Sequence, residues 1–212
     1  MTFNPPDLLR LAFSYFSTMS DDEKVHLRSV EVQAEIPVFI CDLTLIQPQL
    51  DLARQAIDEL RTTHPQSPES NVKATYMSPW HSHLLNAKLL PLTESVLTLA
   101  REASKRYLSA NLAALNMDLV VTDCWGIIYE GNQVDYTQRH NHFPAEFSCV
   151  VYLEADDESA PIIFSGRLHI KPKPGMLVFF PGILIHEVPA TAGKRVVLAM
   201  NLNKRAVFER PK

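Results

Sequence analysis

The sequence predicts an α+β fold, with helices first and an all-β region after them. Three observations predict it. Apolar residues recur at close to helical period in 45–60 and 89–110. From about residue 116 the chain breaks into short runs rich in β-branched and aromatic residues. Turn signals separate those runs at hairpin-like spacing, which points to a sandwich or barrel.

The elements follow in order. Pro5 and Pro6 can open a helix at Asp7, and Ser20 stands three before Glu23 as a second cap, so 5–28 reads as helical. Residues 36–41 read as a short strand. Leu45, Ile46, Leu50, Ala53, Ala56, Ile57 and Leu60 mark one helix face. Residues 62–71, with two Pro and several small polar residues, are a loop. Leu92, Val96, Leu99, Ala100 and Ala103 mark a second helix. Strands are then expected at 120–129, 148–153, 162–164, 168–170, 176–180 and 195–201. The turns between them include Glu130-Gly131-Asn132, Pro172-Lys173-Pro174-Gly175 and Thr191-Ala192-Gly193-Lys194. We read 1–212 as one domain, with 1–115 a mainly helical bracing region and 116–212 the β core.

Composition narrows the function. The chain has 212 residues, 46% hydrophobic and 21% charged, and a formal net charge of -4. That is ordinary for a globular protein, and nothing basic advertises nucleic acid or an anionic membrane. No apolar run reaches the length of a membrane span, and no secretory leader is apparent, so a cytoplasmic protein is expected. Only 6 Gly are present, and no phosphate-cradling glycine motif. The 3 Cys (Cys41, Cys124, Cys149) are too scattered for a disulfide framework or a Cys-rich zinc site. Any metal chemistry must therefore fall to the 8 His.

His140 and His142 are two apart, which in extended backbone places both imidazoles on one side. His186 ends another strand-like run, Met176 to Ile185. If those strands are neighbours, the three rings can converge on one metal; otherwise they are surface or capping histidines. Arg195 opens an apolar strand nine residues after His186. It either enters the barrel mouth, where its planar fork suits a carboxylate, or faces water at a strand end.

Taken together, these pieces resemble a known family. Tyr129-Glu-Gly-Asn, Arg139-His140-Asn141-His142, Cys149-Val-Val-Tyr152-Leu153, and Gly175 through His186-Glu187-Val188 to Arg195 follow in family order and spacing. The stretch from Trp125 to Asn203 thus resembles the core of iron(II)- and 2-oxoglutarate-dependent oxygenases of the prolyl-hydroxylase type. It is most similar to small bacterial and phage oxygenases that carry H-x-H. Ile36-Pro-Val-Phe and Ser70-Asn71 through Ser78-Pro-Trp80 resemble their N-terminal half. The resemblance implies a double-stranded β-helix, or jelly roll, braced by the N-terminal helices.

It also implies a site. His140, His142 and His186 would hold Fe(II), and Arg195 would pair with the distal carboxylate of the cosubstrate 2-oxoglutarate. Tyr152 would donate to that carboxylate, and Tyr129 would reach the cosubstrate from the preceding strand. The reaction implied is a dioxygenase hydroxylation of an unidentified peptidyl or small-molecule substrate, with release of succinate and CO2. No side chain beyond the metal centre is expected to act as a general base. The departure is His142, where most of the superfamily has a carboxylate.

A second resemblance uses the same residues. His140-Asn-His142 followed by Glu146, with Gly175, Pro181 and His186, is similar to the cupin motifs, which would make Glu146 a fourth ligand. A non-catalytic jelly-roll binding module is the alternative from outside the enzymes. Trp125, Phe179, Phe180, Val150 and Met200 read as core, and Cys124 and Cys149 as buried thiols. His81-Ser82-His83 reads as loop or structural, with a substrate-side role as the alternative. Asp135 and Tyr136 read as a turn or as part of the substrate mouth. No oligomeric state is legible.

Overall fold

The computed structural model describes residues 35–108, 112, 116–131, 134–190 and 192–207. The helical reading of 5–28 lies outside the described residues. Eleven strands are described: β1 (Phe39–Asp42), β2 (Val72–Lys73), β3 (Tyr76–Met77), β4 (Met117–Glu130), β5 (Tyr136–His140), β6 (Phe147–Ala155), β7 (Ile162–Phe164), β8 (Leu168–Ile170), β9 (Met176–Pro181), β10 (His186–Val188) and β11 (Lys194–Ala206). The helices are α1 (Gln47–Thr63), the single turn α2 (Ser82–Leu85) and α3 (Leu90–Leu108).

The strands make two antiparallel sheets. The major sheet has the order β1-β9-β6-β11-β4-β3, and the minor sheet β2-β5-β10-β7-β8. This is the expected α+β jelly-roll arrangement, and the described residues from Ile36 onward belong to one compact unit. Three short strands from the first 115 residues complete sheet edges, so the helical region also supplies β structure. β1 extends the major sheet at β9, β3 extends it at β4, and β2 extends the minor sheet at β5.

Two cores share the major sheet. Because strand side chains alternate, each strand sends every second residue to either face. Phe147, Cys149 and Val151 of β6, and Val196, Leu198 and Met200 of β11, pack outward against the helices. Helix α1 starts with Pro48 in its first turn, where a missing N–H costs nothing. It buries Leu50, Ala53, Ala56, Ile57 and Leu60 on that face. Contact is close at Gly126 of β4, where a Cβ would stand 2.5 Å from the Ile57 side chain. Helix α3 buries Leu92, Val96, Leu97 and Ala100 in the same layer. The alternate residues, including Trp125, Ile127, Tyr129, Tyr152, Val178, Phe180, Val197 and Ala199, face the space between the sheets.

The long strand pairs are legible in the apolar runs, but two boundaries fall elsewhere than expected. The apolar run from Met176 stops at Pro181, and a turn closes with Leu184 N donating to Pro181 O at 2.9 Å. His186 therefore opens β10 in the other sheet and does not end β9. Similarly, β5 ends at His140, so His142 lies beyond the strand.

Candidate functional site

β5 and β10 are antiparallel neighbours in the minor sheet, with His140 directly opposite His186. That register brings their rings to 4.4 Å between centroids. His140 Nδ1 donates to Gln138 O at 2.7 Å, and His186 Nδ1 to Leu184 O at 3.0 Å. A carbonyl only accepts, so Nδ1 carries the proton and each Nε2 keeps its lone pair for a metal. His142 is held from outside the strand. Its N donates to Gly182 O at 2.7 Å, and its O accepts from Ala145 N at 2.8 Å. Its ring stands 4.9 Å from that of His140 and 5.1 Å from that of His186. Ligand atoms of the three histidines all lie within 4.8 Å of one another.

Electrostatics keep the cluster neutral. Burial lowers the pKa of all three rings, and charge repulsion from neighbouring rings lowers those of His142 and His186 further. His186 falls to about 4 and His142 to about 2, desolvation being the main cause in both. Neutral imidazole is the metal-binding form, so the donor set suits a divalent ion. Among the described residues no carboxylate joins the group. A bound metal would carry one more positive charge here than with two histidines and a carboxylate. Phe180 packs edge-on against His186, with ring centroids 4.9 Å apart, and closes the cluster on the core side.

The facing wall is the inner face of the major sheet. Arg195 of β11 pairs in register with Tyr129 of β4, and its guanidinium carbon lies 4.1 Å over the Tyr129 ring. Arg195 is 1% exposed. Its Nη1 donates to Ala160 O at 3.1 Å, but Nε and Nη2 have no acceptor. The Tyr129 hydroxyl is engaged with Thr137 Oγ1 at 2.6 Å, so Tyr129 meets Arg195 with its face. Tyr152 of β6 lies opposite Val197, on the same face. Burial pushes its phenol up to about 12, despite the opposing effect of Arg195, so it stays protonated and able to donate.

One cavity of about 60 Å³ joins the two walls. His140, His142 and His186 line it on one side, and Arg195, Tyr152 and Tyr129 on the other. Trp125 also lines it, and its Nε1–H is buried without an acceptor. Three nitrogens with unpaired N–H groups, on residues that line one small cavity, are costly unless a ligand accepts from them. The arrangement can hold a metal at one end and an anion at the other.

All six sequence-named residues therefore share one cavity. Trp125 and Val150, read as core, line it as well. Composition gave Trp125 no sign of this, because only its neighbours reveal that the indole N–H lacks a partner. Glu146 is elsewhere: its carboxylate pairs with Lys204 at 3.0 Å. His81 immediately precedes α2 and stands 3.5 Å from Asp123, and it is not part of the three-histidine group. Asp135 serves the turn after β4, accepting from Glu130 N at 2.9 Å and Thr75 Oγ1 at 3.1 Å. Cys149 is buried with its thiol pushed up to about 12, and buried Cys124 is raised too, so neither is a thiolate ligand. Outside the cavity, a larger cleft of about 310 Å³ opens past His140 and His142.

Comparison with known proteins adds the fold's relatives. No family model matches the sequence, and no curated protein matches it. Solved structures do match. A prolyl-4-hydroxylase of Pseudomonas putida aligns with TM-score 0.56 at 18% identity, over 80% of this chain and 94% of that one. A Trichoplax adhaerens prolyl hydroxylase, solved with a hypoxia-inducible-factor peptide fragment, aligns with TM-score 0.54 at 14% identity, over 78% and 83%. The non-haem alpha-ketoglutarate-dependent carbocyclase SnoK from nogalamycin biosynthesis aligns with TM-score 0.60 at 12% identity, over 80% of each chain. The chain shares the fold of prolyl hydroxylases and other 2-oxoglutarate oxygenases. Among the described residues no helix is long and apolar enough to cross a membrane.

Proposed function

We propose that this chain is an iron(II)- and 2-oxoglutarate-dependent oxygenase, which hydroxylates a peptidyl or small-molecule substrate and releases succinate and CO2. The observation that carries the reading is the set of unpaired, buried N–H groups of Arg195 and Trp125 on a cavity whose other wall is the histidine cluster. When bound, iron(II) would supply the redox chemistry that couples dioxygen reduction to decarboxylation of the 2-oxo acid.

The chain's own residues do the rest. His140, His142 and His186 hold the metal, two of them oriented by backbone carbonyls. Arg195 offers two N–H groups to the distal carboxylate, as a fork suited to its geometry. Tyr129 fixes the guanidinium plane from below, and Tyr152 donates a hydrogen bond from a phenol that stays neutral. Trp125 adds a third donor. Phe180 and the apolar strand faces exclude water, which strengthens each of these interactions.

Purified protein loaded with iron(II) should bind 2-oxoglutarate and form succinate, with both lost on chelation. Failure of the metal-loaded protein to bind 2-oxoglutarate would sink the reading. The cupin-like alternative predicts metal loss in Glu146→Ala, whereas the Lys204 pairing of Glu146 leads us to expect full metal retention. A binding module would show no metal and no response to chelator.

A further inference from the structure

The outer cleft says what kind of substrate this site takes, an inference that rests on the inner cavity being the cosubstrate site. Register pairs of β4 and β11 step along the inner face. They run from Arg195–Tyr129 through Val197–Ile127 and Ala199–Trp125 to Asn201–Asp123. Each step is ~7 Å, so the last pair lies ~20 Å from the arginine end and one step from Trp125. The Trp125 ring is 5.9 Å from the His142 ring. Polarity thus reverses along one pair of strands: the arginine donors at the closed end, apolar residues and the Trp125 indole between, acceptors at the mouth.

The mouth is built of Asp123, Asn201, Asn203, Trp80, Trp125 and Phe143, among others. Asn201 Nδ2 donates to Asp123 Oδ2 at 3.2 Å. A carboxylate can only accept, which fixes the orientation of that amide. Asn201 Oδ1 is then an acceptor, and it is buried without a partner. Among the described residues that line the cleft there is no Lys or Arg. The tryptophans meet edge to face at 4.9 Å. A carboxylate, an orphaned carbonyl and aromatic faces are what an ammonium group satisfies, since it donates three times and accepts nothing. Asp123 also accepts from Thr122 Oγ1 at 3.2 Å, faces His81 Nε2 at 3.5 Å and stays part-exposed. An anion seated there would meet its charge, whereas an apolar group would leave Asn201 Oδ1 buried and unpaired.

We propose that the substrate carries an ammonium group, seated on Asp123 and Asn201 with the tryptophan faces beside it. Both tryptophans of the chain, Trp80 and Trp125, line the cleft, so intrinsic fluorescence reports its occupancy.

The test is a fluorescence titration of the full chain with benzylammonium, benzyl alcohol and benzoate. Calorimetry with 2-oxoglutarate is run on the same sample. Benzylammonium should bind about tenfold tighter than the alcohol, and benzoate weakest. Asp123→Asn, checked for folding by its thermal melt, should erase the preference for the cation. If that variant does not fold, Asn201→Leu should reduce the preference instead. Equal binding of alcohol and ammonium, tightest binding of benzoate, or no ammonium binding at all overturns this inference. Loss of 2-oxoglutarate binding is a separate result and overturns the reading of the inner cavity.

Discussion

The two faces of the major sheet are built from alternate residues of the same strands, yet they obey opposite rules. On the helix-covered face, Phe147, Cys149, Val151, Leu198 and Met200 are fully apolar and closely packed. On the inner face, the same sheet carries Arg195 of β11 and Trp125 of β4, with Arg195 Nε and Nη2 and Trp125 Nε1 buried and nothing to accept from them. The outer face lowers free energy by removing apolar area from water, about 1.5–3 kcal/mol for each large side chain. The inner face gives some of that back, because unpaired polar groups in a dry space cost free energy. The difference teaches where stability and binding reside: one β-strand can supply both, by residue parity alone.

The comparison breaks most readily on the outer face. Phe147 is fully buried and stacks on Phe179 with ring centroids 4.9 Å apart. Phe147→Ala should cost ~3–5 kcal/mol in urea unfolding, from lost transfer energy and the cavity left behind. Metal stoichiometry per folded molecule should not change, because no ligand touches that face. Loss of metal from protein that is still folded would show that the two faces are not separable.

Arg195→Met tests the inner face with the opposite signature. Removing a charge-assisted fork should weaken 2-oxoglutarate binding by ~100-fold, read by calorimetry. Stability should hold or rise, since methionine fills the space without two orphaned donors. A melting temperature lowered as far as in Phe147→Ala would make the guanidinium structural, held by Ala160 O and the Tyr129 face.

Much of this was legible in the sequence, and the exceptions share one physical cause. The strands β4, β6, β9 and β11 are readable as β-rich apolar runs, but those runs are nearly continuous, with β9 buried at all six positions, so the facing of Tyr129, Tyr152 and Arg195 rested on the family resemblance and not on alternation. The turn glycine before β9 was also readable, and Gly175 indeed adopts φ +80. What pattern cannot give is partner choice between distant segments. That His186 opens β10 opposite His140 depends on which strands pair. The two-residue edge strands β2 and β3 are too short to carry periodicity. An orphaned N–H, as on Trp125, is defined by neighbours distant in sequence. Asp123 belongs to no motif, and its pairing with Asn201 is set by the β4–β11 register alone.

The smallest expected effect concerns His142, the residue that departs from the carboxylate usual in the related pattern. Unlike His140 and His186, it takes no part in the β5–β10 ladder. Its segment is held by Gly182, whose O accepts from His142 N and whose N donates to Glu146 O at 2.9 Å. A Cβ on Gly182 would stand 2.1 Å from the carbonyl oxygen of Ala145. That contact is backbone against backbone, so the segment must move and no rotamer can relieve it. Gly182→Ala should therefore displace one ligand of three and leave the other two in register. Metal affinity should drop by ~10-fold, with ~1–3 kcal/mol lost in stability from the overpacked turn. A metal titration of the folded variant decides the matter. Unchanged affinity would mean that His140 and His186 hold the ion without His142, and that the third imidazole is a wall of the cavity and not part of the centre.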